Sequence, residues 1–65
     1  MKITVNGTPT EVRAETLAGA LDELGYGGAK IASAVNESFV PATARENTAL
    51  SPGDRIEIVA PRQGG

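Results

Sequence analysis

Hydrophobic and polar positions alternate with period two at both ends of the chain and with helical period between them. Met1, Ile3 and Val5 alternate with Lys2, Thr4 and Asn6, the pattern of a strand with one buried side. Asn6-Gly7 follows at once, and both residues tolerate the positive φ of the tight turn whose twist matches its flanking strands. Thr8 to Arg13 is the expected return strand, with Val12 and Thr10 inward, Glu11 and Arg13 outward, and Pro9 near its start. The period then changes. Leu17, Ala20, Leu21 and Leu24 stand at i, i+3, i+4 and i+7, one apolar stripe of a helix, with Asp22 and Glu23 away from it on a solvated face. Thr16 is the expected N-cap and Gly25 the left-handed stop. Gly19 costs this helix about 1 kcal/mol against alanine, so it depends on packing.

Gly25-Tyr26-Gly27-Gly28 reads as a connector. It follows a helix and does not join a strand to a helix N-terminus, so its glycines lack the context of a phosphate cradle. Lys30 to Asn36 is the third expected strand, with small residues on one side and Ile31 and Val35 on the other. Asn36-Glu37-Ser38 turns the chain, and Phe39-Val40 forms a short fourth strand ended by Pro41, which has no N–H for a ladder. Ala42 to Asn47 is expected to be irregular or a single helical turn. Ser51-Pro52-Gly53-Asp54 suits a tight turn. From Arg55 to Ala60 the alternation returns, with Ile56 and Ile58 against Arg55 and Glu57. Pro61 ends this strand, and Arg62-Gln63-Gly64-Gly65 continues as an expected flexible tail. Extended, residues 61–65 reach about 16 Å at roughly 3.3 Å each, enough to enter another protein's active site.

The order ββαβββ has a natural solution. A hairpin, a helix laid across one sheet face and further strands let the last strand run parallel beside the first, with a right-handed connection. The expected class is α+β, the β-grasp arrangement of ubiquitin, in one domain spanning residues 1–65.

Composition narrows the chemistry. A chain of 65 residues buries only about 60% of its unfolded surface, which argues against a large internal catalytic cavity. Without cysteine or histidine, thiolate nucleophiles, imidazole bases, disulfides and the usual zinc sites are excluded. Six basic and eight acidic residues are scattered along the chain and Tyr26 and Phe39 are its aromatics, which is no nucleic-acid footprint. No apolar run approaches the roughly 18 residues of a membrane span, and Met1-Lys2-Ile3 opens a strand pattern instead of a signal peptide. A cytoplasmic protein with no bound cofactor or metal and no membrane partner is expected.

Three stretches carry a family resemblance: Met1 to Gly7, Ala32 to Pro41, and Leu50 to Val59 continuing to Gly64-Gly65. The most specific are Asn-x-x-Phe-Val-Pro at 36–41, Gly-Asp-x-Ile-Glu-Ile at 53–58, and the final diglycine. Over essentially its whole length the chain resembles the bacterial sulfur carrier ThiS of thiamine biosynthesis. Glu37 stands where that family often has glycine, Ser33 where it has a β-branched apolar residue, and Arg62-Gln63 is more polar than many of its tails. The resemblance implies that the chain is a protein substrate and not an enzyme. Its Gly65 carboxylate would be adenylated by a ThiF-type enzyme using ATP and Mg, converted by a sulfur donor to a thiocarboxylate, and drawn on by thiazole synthase (ThiG). Gly64, Gln63 and Arg62 would be read as the tail enters its partner, and Phe39 with Val59 would form either a partner patch or part of the core. Three other readings stand beside it: a MoaD-like carrier for molybdopterin or another sulfur-containing product, a ubiquitin-like modifier of lysines, and a plain binding module. A chance diglycine arises in roughly 0.5% of chains of average composition.

Overall fold

The computed structural model describes residues 1–60. It contains β1 (Lys2–Val5), β2 (Thr8–Glu11), the helix α1 (Leu17–Glu23), β3 (Ala32–Val35), β4 (Ser38–Val40), a 3₁₀ helix (Ala42–Asn47) and β5 (Arg55–Val59). The expected strands are present, and three are shorter: the return strand ends at Glu11, the third runs from Ala32 to Val35 and the last ends at Val59. The fourth begins one residue earlier, at Ser38. The stretch Ala42–Asn47 is a 3₁₀ helix of six residues. The expected tail, Pro61 to Gly65, lies outside the described residues.

The five strands form one mixed sheet in the order β2-β1-β5-β3-β4. β5 is its centre, parallel to β1 and antiparallel to β3, which is the β-grasp topology. Asn6 (φ 50°) and Gly7 (φ 84°) make the turn between β1 and β2, and Asn36 (φ 50°) and Glu37 (φ 73°) make its counterpart between β3 and β4. Both have positive φ at the two central positions, as a two-residue hairpin loop requires.

α1 covers one sheet face. Ile3, Val12, Leu17, Ala20, Leu21, Val40, Leu50, Ile56 and Ile58 are all buried in a single core, with Leu24, Tyr26, Ile31 and Val35 packed at its edge. Thr16 caps the helix through its hydroxyl, which accepts from the Gly19 N–H at 3.2 Å. At the other end Gly25 (φ 94°) donates to Asp22 and Tyr26 donates to Leu21, the pair of bonds that closes a helix on a left-handed residue. Gly19 has a reason beyond the helix. A Cβ there would stand 2.9 Å from the Ala14 Cβ, so the β2–α1 connection packs closely because the side chain is missing.

Glu23, expected to be merely solvated, holds that same connection. Its carboxylate accepts from the N–H groups of Arg13 and Ala14 at 3.0 and 3.1 Å. Across the helix N-terminus, Leu17 donates to the Thr48 carbonyl and Leu50 to that of Glu15, so the segment leading into β5 is laced to the start of α1.

Ser33, the departure from an apolar residue, is 2% exposed. Its hydroxyl donates to the Val40 carbonyl at 3.1 Å and accepts from Arg45 Nε at 3.0 Å. Arg45 also donates to the Ile31 carbonyl. The serine thus fastens the 3₁₀ helix to β3, and a buried hydroxyl with both roles filled carries no desolvation penalty of an unpaired group.

Glu37 is the strained position. A β-carbon at positive φ costs about 1–3 kcal/mol, while its ion pair with Arg55, at 3.6 Å between side chains 76% and 59% exposed, contributes little. Glu37→Gly is therefore expected to raise stability by about 1 kcal/mol, after the extra entropy of glycine in the unfolded chain. A higher urea midpoint at unchanged slope is the measurement; a lower midpoint would show that the ion pair outweighs the strain.

Candidate functional site

The place of interest is the end of β5, the strand that leads toward the residues on which the sequence resemblance places the chemistry. Ile56 and Ile58 point into the core, 1% and 7% exposed, and Arg55, Glu57 and Val59 point to the sheet face away from α1. On that open face Val59 stands opposite Ala32, and Phe39 stands opposite Ala34. Alternation along β3 puts both alanines on the same side. The result is an apolar strip, Val59–Ala32–Ala34–Phe39, crossing three strands beside the last residues of β5. Phe39 is 68% and Val59 65% exposed. The sequence left these two as patch or core, and the structure puts both on the surface.

Polar groups secure both ends of β5. At its start, the Asn36 side chain accepts from the Arg55 N–H at 2.9 Å and donates to the Asp54 carboxylate at 3.0 Å. The other oxygen of Asp54 accepts from the Ser51 N–H at 2.8 Å, which closes the turn in which Gly53 has φ 89°. Toward its far end, Asn6 Oδ1 accepts from the Ile58 N–H at 2.8 Å and Asn6 Nδ2 donates to the Ile58 carbonyl at 3.2 Å. The residues Asn6, Asn36 and Asp54 were read from sequence as turn formers alone; nothing local in it pairs Asn6 with Ile58.

The ThiS family model matches residues 3–65. The chain belongs to the ThiS family. It is similar to the crystal structure of thiamine biosynthesis protein ThiS from Geobacter metallireducens at 29% identity, with a TM-score of 0.83 and the whole of both chains covered. It is also similar to a solution NMR structure of a thiamine biosynthesis protein from that organism, at 25% identity and a TM-score of 0.78, covering the whole of this chain and 88% of the other. No curated protein matches it. The residues on which the sequence resemblance places the chemistry, Arg62, Gln63, Gly64 and Gly65, lie outside the described residues. Among the described residues, the candidate site is the strand that leads to them and the apolar strip at its side. No helix among the described residues is long and apolar enough to cross a membrane.

Proposed function

We propose that this ThiS-family chain is a sulfur carrier in thiamine biosynthesis whose reacting group is the Gly65 carboxylate. The observation that carries the reading is the family match over residues 3–65, joined to a central strand paired with β3 as far as Val59 and held on its other side by the Asn6 side chain at Ile58. A carboxylate is a poor electrophile because its charge is delocalised over two oxygens. One of these oxygens attacks the α-phosphorus of ATP bound with Mg on a ThiF-type enzyme, and pyrophosphate leaves. A persulfide of the donor then attacks the acyl carbon and AMP departs; a second thiol attacks the donor-side sulfur of the resulting acyl disulfide, so that the thiocarboxylate leaves and the two thiols end as a disulfide. Thiazole synthase (ThiG) takes the sulfur from that group. Glycine at 64 and 65 keeps Cβ atoms out of a narrow channel and permits backbone angles closed to other residues. Arg62 and Gln63 are the side chains next to the diglycine, where an activating enzyme reads its substrate.

The exposed strip is the docking surface in this reading. Phe39 and Val59 are large apolar groups left in water next to the root of the tail, the kind of anchor that carries interface energy. Phe39→Ser is expected to change unfolding stability by no more than about 0.5 kcal/mol, as for a surface position, while weakening binding to the activating enzyme about ten-fold. Calorimetric titration of the two proteins measures it, and equal affinity in the variant would remove Phe39 from the interface.

The reading as a whole is tested by intact mass spectrometry after incubation with ATP, Mg, the activating enzyme and a sulfur donor. Replacing one oxygen by sulfur has nearly the mass signature of Met1 oxidation, so fragmentation must place the gain. A gain confined to Gly65 supports the carrier; an unmodified Gly65 with partners shown to be competent overturns it.

A further inference from the structure

β5 has unequal support on its two sides. Toward β3 the pairing continues to the end of the strand, at Ala32 and Val59. Toward β1 it stops at Val5 and Ile56, because the chain turns away at Asn6 and Gly7. The Asn36 N–H donates to the Arg55 carbonyl, and peptide groups alternate in direction along a strand. Arg55, Glu57 and Val59 therefore face β3, whereas Ile56 and Ile58 face the β1 side. Among the described residues, no backbone meets Ile58 there.

Asn6 supplies the missing partner. Its own N–H donates to the Ile56 carbonyl at 2.9 Å. Its side-chain amide then takes both groups of Ile58, the N–H at 2.8 Å and the carbonyl at 3.2 Å. A primary amide offers one acceptor and two donors in a plane, the same pair that a peptide group presents. The side chain thus continues the parallel ladder for one residue more than the backbone of β1 can. The positive φ of Asn6 belongs to the turn, and asparagine tolerates it better than most residues. One residue serves the hairpin and the strand 52 positions away.

We infer that Asn6 is a positioning residue for the tail: by holding both polar groups of Ile58 it fixes the direction in which the chain leaves β5 toward Gly65. This rests on the carrier reading above. Without the clamp, β5 is held at Ile58 only through its neighbours on the β3 side, and the last residues fray. A frayed root spends part of its time pointing the tail away from the adenylating enzyme. Apparent affinity falls by the competent fraction, while the rate once bound does not change. The effect is therefore on KM and not on kcat.

Asn6→Gly is the informative variant, because Gly-Gly also forms this turn and only the side-chain bonds are lost. Two measurements are made on the full chain. Amide hydrogen exchange is expected to speed up about ten-fold or more at Ile58, with the Tyr26 amide, bonded to Leu21 in the helix cap, unchanged. ATP–pyrophosphate exchange by a ThiF-type enzyme is expected to show KM for the carrier raised about five-fold at unchanged kcat. Asn6→Asp keeps an acceptor for the Ile58 N–H and loses the donor, and it should bring KM part of the way back. An Asn6→Gly chain with wild-type KM, or with unchanged protection at Ile58, overturns the inference. If the wild-type chain is itself never adenylated, the carrier reading fails; if it is adenylated and Asn6→Gly leaves KM unchanged, the positioning role alone fails.

Discussion

A chain lacking Gly65 is expected to gain no sulfur and to show adenylation reduced more than a hundred-fold, although it folds as before. Removing one residue shortens the reach of a chain by up to roughly 3.3 Å. Nucleophilic attack needs the reacting atoms held about 3–3.5 Å apart and aligned, and a misplacement of only about 1 Å can cost a hundred-fold. The truncated chain ends in a carboxylate of the same chemistry, so its failure would be one of reach. Stability should not change, because the buried core is drawn from residues between Ile3 and Ile58. Pyrophosphate release and localised mass analysis measure the first effect, thermal unfolding the second. Full adenylation of the truncated chain would mean that Gly65 is not the reacting residue, and the family's chemistry would not apply here.

Ile56→Ala is expected to leave the domain largely unfolded or close to it. Ile56 is 1% exposed in the central strand, opposite Val5 on one side and Val35 on the other. Truncating a fully buried isoleucine costs about 2–5 kcal/mol through lost transfer energy and the cavity left behind. A domain of this length has about 3–10 kcal/mol in total, at roughly 0.05–0.15 kcal/mol per residue. Val59→Ala is the internal control in the same strand: its side chain is 65% exposed, and the change should stay within about 0.5 kcal/mol. Circular dichroism on heating separates the two. If both variants melted alike, burial along β5 would not follow the alternation described above.

Ile56 and Ile58 face inward and hold the strand in place; Val59 and Phe39 face outward beside the tail root. The same alternation that builds the core therefore sets out the exposed apolar strip. A strand of five residues can do both because its side chains point to opposite faces in turn.

Much of this was legible along the chain because it depends on neighbours in sequence. Asn6-Gly7 makes its turn through backbone angles that these two residues accept. Thr16 caps α1 through a hydroxyl three residues from the N–H it receives, and Gly25 stops the helix through its own positive φ. The spacing of Leu17, Ala20 and Leu21 set the buried side of α1, and Ile56 and Ile58 set that of β5. These local choices, with the order of elements, were sufficient for the β-grasp topology and for the family resemblance that the comparison with known proteins then established.

What the tertiary structure decided were the partners of polar groups and the fate of residues with two plausible environments. Ser33 looked like a misfit until Arg45 of the 3₁₀ helix was found on its hydroxyl. Glu23 looked solvated, yet its carboxylate gathers the N–H groups of Arg13 and Ala14. Phe39 had to be placed opposite Ala34 before its exposure was known, and Asn6 had to be brought beside Ile58. Periodicity states which side a residue faces, but not which strand ends first or which group then lies within reach. Those depend on register and on chain ends meeting in space, and a hydrogen bond is settled by a few tenths of an ångström that no local pattern encodes.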